Sequence, residues 1–155
     1  MTNGKRKNVS KLSVTVSLKA GDWRKSLPDY RKLIKQWAIA ALSGHTGELA
    51  IVLGDDAFVQ DLNHRFRGRN KPTNVLSFTS NEHMGDIVLA YETIKAEAKA
   101  QNKTFKAHTA HLVVHGCQHL LGFDHETAKE ATIMEKREVE ILALLGFSNP
   151  YKVKN

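Results

Sequence analysis

With 155 residues, 41% of them hydrophobic, the chain has the size of one domain that buries a core without disulfides or a structural metal as a staple. Its one cysteine, Cys117, excludes an internal disulfide. The first thirty residues hold no apolar stretch long enough for a signal peptide or a membrane span, so a cytoplasmic protein without a membrane partner is expected. The net charge of +7 sits in the first half: residues 1–72 hold 14 Lys/Arg against 6 Asp/Glu, and residues 73–155 hold 9 against 10. That asymmetry favours a polyanionic partner, because each phosphate neutralised by Lys or Arg releases condensed counterions.

Residues 1–10 lack apolar periodicity and carry Lys5, Arg6 and Lys7, which predicts a flexible basic arm. Leu12, Val14, Val16 and Leu18 alternate with Ser13, Thr15 and Ser17, the period of a half-buried strand. After Pro28, Tyr30, Leu33, Ile34, Trp37, Ala38 and Ala41 recur at helical spacing. Residues 48–54 form a nearly continuous apolar run, predicted as a buried strand. Asp55 and Asp56 then stand where they can cap a helix whose apolar positions are Phe58, Val59, Leu62 and Phe66. Two strands follow at 74–78 and 86–90, then helices over about 91–102, 105–121 and 127–145, the last stopped by Gly146. This order predicts one α+β domain over 1–155, with a mixed four-stranded sheet packed against about five helices. Trp23 and Trp37 read as core or rim aromatics, and the Glu/Lys/Arg face of 126–140 as a solvated helix surface.

The stretch HGCQHLLGFDH, residues 115–125, carries the chemistry. His115 and His119 stand one helical turn apart on one face, close enough to share an ion. His111 cannot complete the set, because it lies about 12 Å from His119 along a straight helix, while nitrogen ligands sit about 2.0 to 2.1 Å from zinc. Gly122 offers a turn that brings His125 back to face the other two. Three imidazoles leave the fourth position of a tetrahedral zinc open to water, the arrangement of a catalytic site and not of a closed structural one. The prediction is one Zn2+ per chain on a central helix and the turn after it. His108 and His111 are read as packing histidines, with a supporting or substrate-contacting role as the alternative. The spacing matches metzincin peptidases, but those need a Glu directly after the first histidine, and here that position is Gly116.

The same stretch resembles the signature of the YbeY family of bacterial endoribonucleases, H-G-x-L-H-L-x-G-y-D-H, departing from it at Gln118, where leucine is usual. A second segment, LNHRFRGRNKPTNVLSF at 62–78, is similar to the family's arginine, basic loop and P-T-N-V-L-S-F. The GDI at 85–87 and MEKREVEILALLGF at 134–147 also resemble it, so the similarity covers the chain from about residue 45 onward. It implies a zinc-dependent, single-strand-specific endoribonuclease of ribosomal RNA maturation and ribosome quality control. His115, His119 and His125 would be the ligands and Arg67 the functional arginine. The implied partners are single-stranded RNA, a ribosomal RNA precursor above all, and the ribosome or its proteins.

The residues agree, since Arg65, Arg67, Arg69 and Lys71 cluster beside a predicted strand and a planar guanidinium suits a phosphate. The expected chemistry is attack of metal-activated water on a phosphodiester. Arg67 would answer the developing charge, Asp124 would orient an imidazole or accept a proton, or else cap the turn, and Arg65, Arg69 and Lys71 would hold the strand. Two alternatives stand beside it: a zinc metallopeptidase-like hydrolase, and a non-catalytic ribosome-assembly factor with a structural metal, for which Cys117 would be the fourth ligand.

Overall fold

The computed structural model describes residues 11–67, 73–80 and 83–152; the predicted basic arm at 1–10 lies outside them. The sheet has the order β1-β2-β4-β3, with β1 at Leu12–Leu18, β2 at Gly47–Gly54, β3 at Val75–Thr79 and β4 at Gly85–Ala90. β1 pairs parallel to β2 and β2 parallel to β4, while β3 returns antiparallel to β4, so the sheet is mixed and the fold is α+β. The described residues form six helices: α1 (Trp23–Ser26), α2 (Tyr30–Ala41), α3 (Asp56–Arg67), α4 (Tyr91–Ala100), α5 (Phe105–Leu120) and α6 (Ala128–Leu144). Five of them fall where the periodicity places them, with ends that differ by a residue or two.

Side chains alternate across the two central strands, as a pleated backbone requires. Leu49, Ile51 and Leu53 of β2 and Ile87 and Leu89 of β4 face a large core shared with α2 and α5. Val88 and Ala90 of β4 point the other way, with Leu76 of β3, to meet Val59 of α3. The sheet is therefore sandwiched, and its central strands are apolar on both faces. α5 is the helix around which the first layer is built: α2, α4 and α6 pack on it, and so do β3 and β4. Its buried residues accordingly include Ala110, Leu112, Val113, Val114 and Cys117 on most of its circumference.

The helix starts are fixed by side chains. Asp55 accepts the Phe58 amide at 2.8 Å, Thr104 the Ala107 amide at 3.0 Å, and Thr127 forms a reciprocal capping box with Glu130. Asp56 does something the local sequence does not announce: its carboxylate accepts the Thr93 amide at 2.9 Å, while Glu92 accepts the Asp56 amide at 2.7 Å. Two helices distant in sequence thus cap one another.

Three positions differ from the sequence reading. α1 is additional, and what makes it is Trp23, fully buried, whose indole N–H donates to the Gly54 carbonyl at 3.0 Å and whose ring meets Tyr91 and Phe105 edge-on. Phe66, assigned to the apolar face of α3, is 66% exposed and touches Phe78 edge-on. The face of 126–140 is solvated only in part, because Met134 and Glu138 are buried.

Trp23 couples the β1–α2 connection to the end of β2 by both shape and hydrogen bond. Trp23→Ala should cost about 3–5 kcal/mol of unfolding free energy. Trp23→Phe, which keeps a ring but leaves the Gly54 carbonyl without its donor, should cost about 1–3 kcal/mol. Urea unfolding midpoints of the two variants check the order; equal losses would mean that the ring's packing contributes nothing beyond the indole hydrogen bond, and a parental midpoint in Trp23→Phe that the hydrogen bond contributes nothing.

Candidate metal centre

His115 and His119 lie on the last turns of α5, half-buried, with their Nε2 atoms 3.1 Å apart. Tetrahedral coordination with nitrogen–metal bonds of about 2.0 to 2.1 Å places neighbouring ligand nitrogens about 3.3 Å apart, so this separation suits a shared ion. The third imidazole arrives through the turn. Gly122 adopts φ +98°, its amide donates to the His119 carbonyl at 3.0 Å, and the Phe123 amide reaches back to the Gln118 carbonyl at 3.0 Å. That pair of bonds is a Schellman closure, which needs the left-handed conformation at its glycine. It swings the chain so that the His125 ring lies 5.4 Å from that of His115 and 5.1 Å from that of His119, centre to centre. One nitrogen from each of the three histidines then falls within 4.8 Å of the others.

The opposite ring nitrogens are tied down. His119 Nδ1 donates to the Phe123 carbonyl at 3.0 Å, so the turn that delivers His125 also orients His119. His115 Nδ1 donates to Glu138 Oε2 at 2.7 Å. Both bonds select the tautomer whose Nε2 lone pair faces the shared point. Burial first, and then the nearby His115 and His125, hold His119 below the usual histidine range, so the ring is neutral and able to ligate. The donor set fits a metal that prefers imidazole, and three protein ligands, one of them on an exposed residue, His125, leave a tetrahedral position for a non-protein ligand.

Glu138, on α6, is the residue that sequence reasoning missed. It is fully buried, and its carboxylate accepts from His115 Nδ1, from His111 Nε2 at 2.9 Å and from the Tyr151 hydroxyl. Burial alone would raise this carboxyl, but the hydrogen bonds from His111, His115 and Tyr151 outweigh it and hold the group at about 2. Burial and the adjacent Glu138 push the Tyr151 hydroxyl well above the phenol range, so it stays protonated and donates. His111 therefore reaches the site through Glu138. The one legible signal for this carboxylate was its spacing of four from Met134 and from Leu142, which puts it on the inward stripe of α6.

The remaining predicted residues fall as follows. Asp124 accepts the His125 amide through Oδ1 at 2.8 Å, which makes it a brace for the third imidazole's backbone. Cys117 is buried in the main core, its thiol pushed up to about 12 by burial, and it takes no part in the histidine group. Gly116 faces the sheet: a Cβ there would stand 3.1 Å from Ile87 Cδ1 and 3.2 Å from Ser77 Oγ, so a peptidase-type Glu at that position would crowd both side chains. Arg65 is exposed, pairs with Asp61 at 3.1 Å and lays its guanidinium over the Phe66 ring at 5.6 Å. The side chain of Arg67, and Arg69 and Lys71 altogether, lie outside the described residues.

Comparison with known proteins gives one consistent answer. The family model described as Endoribonuclease YbeY matches residues 17–146. A relative of that name from Parvibaculum lavamentivorans is 44% identical over 163 aligned positions, covering 94% of this chain and 88% of the relative. Another, from Paramagnetospirillum magneticum, is 41% identical over 157, covering 90% and 96%. A solution structure of a Thermotoga maritima protein shares the fold with a TM-score of 0.55 at 23% identity, over 90% of this chain and 99% of that one.

If Glu138 orients His115, removing its second acceptor oxygen should loosen metal without touching a ligand. Glu138→Gln keeps the shape but presents an NH2 group to one imidazole, which then has no acceptor. The expected result is a metal dissociation constant weakened by about 10- to 100-fold, read by competition with a chromogenic chelator. Cys117→Ser should bind as the parent does. Parental affinity in Glu138→Gln would leave that carboxylate as a buried charge with no bearing on the site.

Proposed function

Because the chain belongs to the endoribonuclease YbeY family, we propose that it is a zinc-dependent endoribonuclease, one domain over residues 1–155, that cuts single-stranded RNA during ribosomal RNA maturation and ribosome quality control. The observation that carries the reading is the convergence of His115, His119 and His125, with Nε2 of the first two freed by hydrogen bonds on Nδ1. These three hold one Zn2+. When bound there, zinc supplies a water acidified toward a pKa of about 7 and a Lewis acid for phosphoryl oxygens.

The chain's own residues do the rest. Glu138 and the Phe123 carbonyl fix two imidazoles, and Asp124 fixes the backbone of the third through one oxygen while its second remains open to accept a proton. Arg67, at the end of α3, brings a guanidinium to the charge that develops on the phosphoryl group, which is where a fixed donor lowers a barrier. Arg65, Arg69 and Lys71 hold the strand through its phosphates, in keeping with the basic excess of residues 1–72. The peptidase alternative lacks the Glu, and a side chain at Gly116 would crowd Ile87 and Ser77; a closed structural site lacks Cys117. No helix among the described residues is long and apolar enough to cross a membrane, and a single cysteine suits the reducing cytoplasm where ribosomes are assembled, with ribosomal proteins as partners.

His119→Ala should lose most of its zinc and its RNA cleavage together, measured as metal content and single-turnover rate on one batch of protein. Arg67→Glu should keep zinc and folding while the single-turnover rate falls by at least about 10²- to 10³-fold. Lys71→Ala should instead weaken RNA binding in a salt-dependent way with little change in the chemical step. Equal, salt-sensitive defects in the two would reduce Arg67 to one charge among several, and full zinc content in His119→Ala would remove that residue from the ligand set.

A further inference from the structure

His115 also lines one end of a recess of about 390 Å3 that runs along α5 between α4 and the C-terminal residues Pro150 and Tyr151. Its far end is built from polar groups that the metal centre does not use. Asn74 Nδ2 donates to Glu97 Oε1 at 2.9 Å, and His108 Nε2 donates to the same oxygen at 2.8 Å. Asn74 and Glu97, both lining the recess and joined by that bond, each keep an oxygen, Oδ1 and Oε2, that these bonds do not use. His108 is 3% exposed, and burial holds it below the usual histidine range, so with Nε2–H committed to Glu97 its Nδ1 is a lone pair. That nitrogen, and Nδ1 of His111, are buried without a hydrogen-bond partner in the chain. Lys103 stands at the same end, one of its ammonium protons on the Pro150 carbonyl at 2.9 Å and the others open.

The dimensions fit one nucleotide. His108 and His115 are seven residues apart, about 10.5 Å along the helix, which is comparable to the span from a nucleotide's phosphate to the far edge of its base. A phosphate at the three imidazoles therefore puts a base at Glu97. The wall there carries two hydrogen-bonded side chains, each with an acceptor oxygen to spare, and one cation. Guanine presents the complement, two neighbouring N–H donors at N1 and N2 beside the acceptor O6. Uracil has one donor between two carbonyls, and adenine and cytosine offer one amino group beside a bare ring nitrogen. An unoccupied wall of acceptors is costly when dry, which makes the matching donors selective.

We propose that this recess is a base-reading pocket that takes a guanine next to the scissile phosphate, its N1 and N2 protons on Glu97 and Asn74 and its O6 on Lys103. The proposal rests on the nuclease reading of the histidine site and adds a sequence preference to it.

The test uses the zinc-loaded full chain and short single-stranded RNAs identical but for the nucleotide beside the cut. Guanine there should raise kcat/KM by about 10- to 100-fold over uracil, the discrimination expected of one paired hydrogen-bond contact. Guanosine 5′-monophosphate should bind more tightly than uridine 5′-monophosphate by a similar factor. Glu97→Gln and Lys103→Met, each checked for folding by thermal melting, should both bring these two ratios toward one. If RNA is cleaved with no guanine preference, or the preference survives both variants, the pocket is overturned while the nuclease reading stands. If no RNA is cleaved, the nuclease reading fails, and the monophosphate ratios decide the pocket: equal binding overturns it, and a guanosine preference lost in the variants upholds it. Should Glu97→Gln fail to fold, Lys103→Met decides alone.

Discussion

A carboxylate with no access to water must have its charge answered by hydrogen bonds, and Glu138 is answered from three directions, by His111, His115 and the Tyr151 hydroxyl. Those partners come from the central helix and from the C-terminal residues, so one buried group locks α6, α5 and the end of the described chain to each other. The lock also sets which nitrogen of His115 is free. Stability and ligand orientation are in this way the same interaction, and neither α6 nor the tail can shift without turning an imidazole.

α5 meets two demands that usually conflict. It packs against three helices and two strands, and so has to be apolar around most of its girth, yet it also carries His108, His111, His115 and His119. The conflict is resolved by giving those histidines one stripe and lining that stripe with carboxylates from other elements, Glu97 from α4 and Glu138 from α6. Gly116, next in sequence to the first candidate ligand, faces Ile87 and Ser77, which lets the helix lie close on β3 and β4.

The strands, five of the helices and the three converging histidines were legible because each is written in local pattern: period two in β1, period 3.6 in α2, and a helical pair followed by a glycine turn at 115–125. What escaped was non-local. Glu138 has the composition of a solvated helix face on either side of it, and its burial depends on which face α6 turns to α5. Asp56 looks like a cap for its own helix and serves as a cap for α4. Phe66 satisfies the apolar periodicity of α3, but its ring meets the sheet at Phe78 and stays mostly exposed. α1 is too short for periodicity to register, and what holds it is the Trp23 bond to β2.

The three candidate ligands span eleven residues, 115–125, joined by a helix end and a four-residue turn. Closing so short a loop costs little chain entropy compared with bringing together ligands from distant segments. A chelate of this kind is available to any ensemble in which the end of α5 and the Gly122 turn are formed, whether or not the sheet is assembled. Metal bound by partly unfolded chains contributes less to the native state than its affinity suggests, because linkage counts only the difference between the two. The dependence of the centre on the whole fold enters instead through Glu138, which the denatured chain has no means to position.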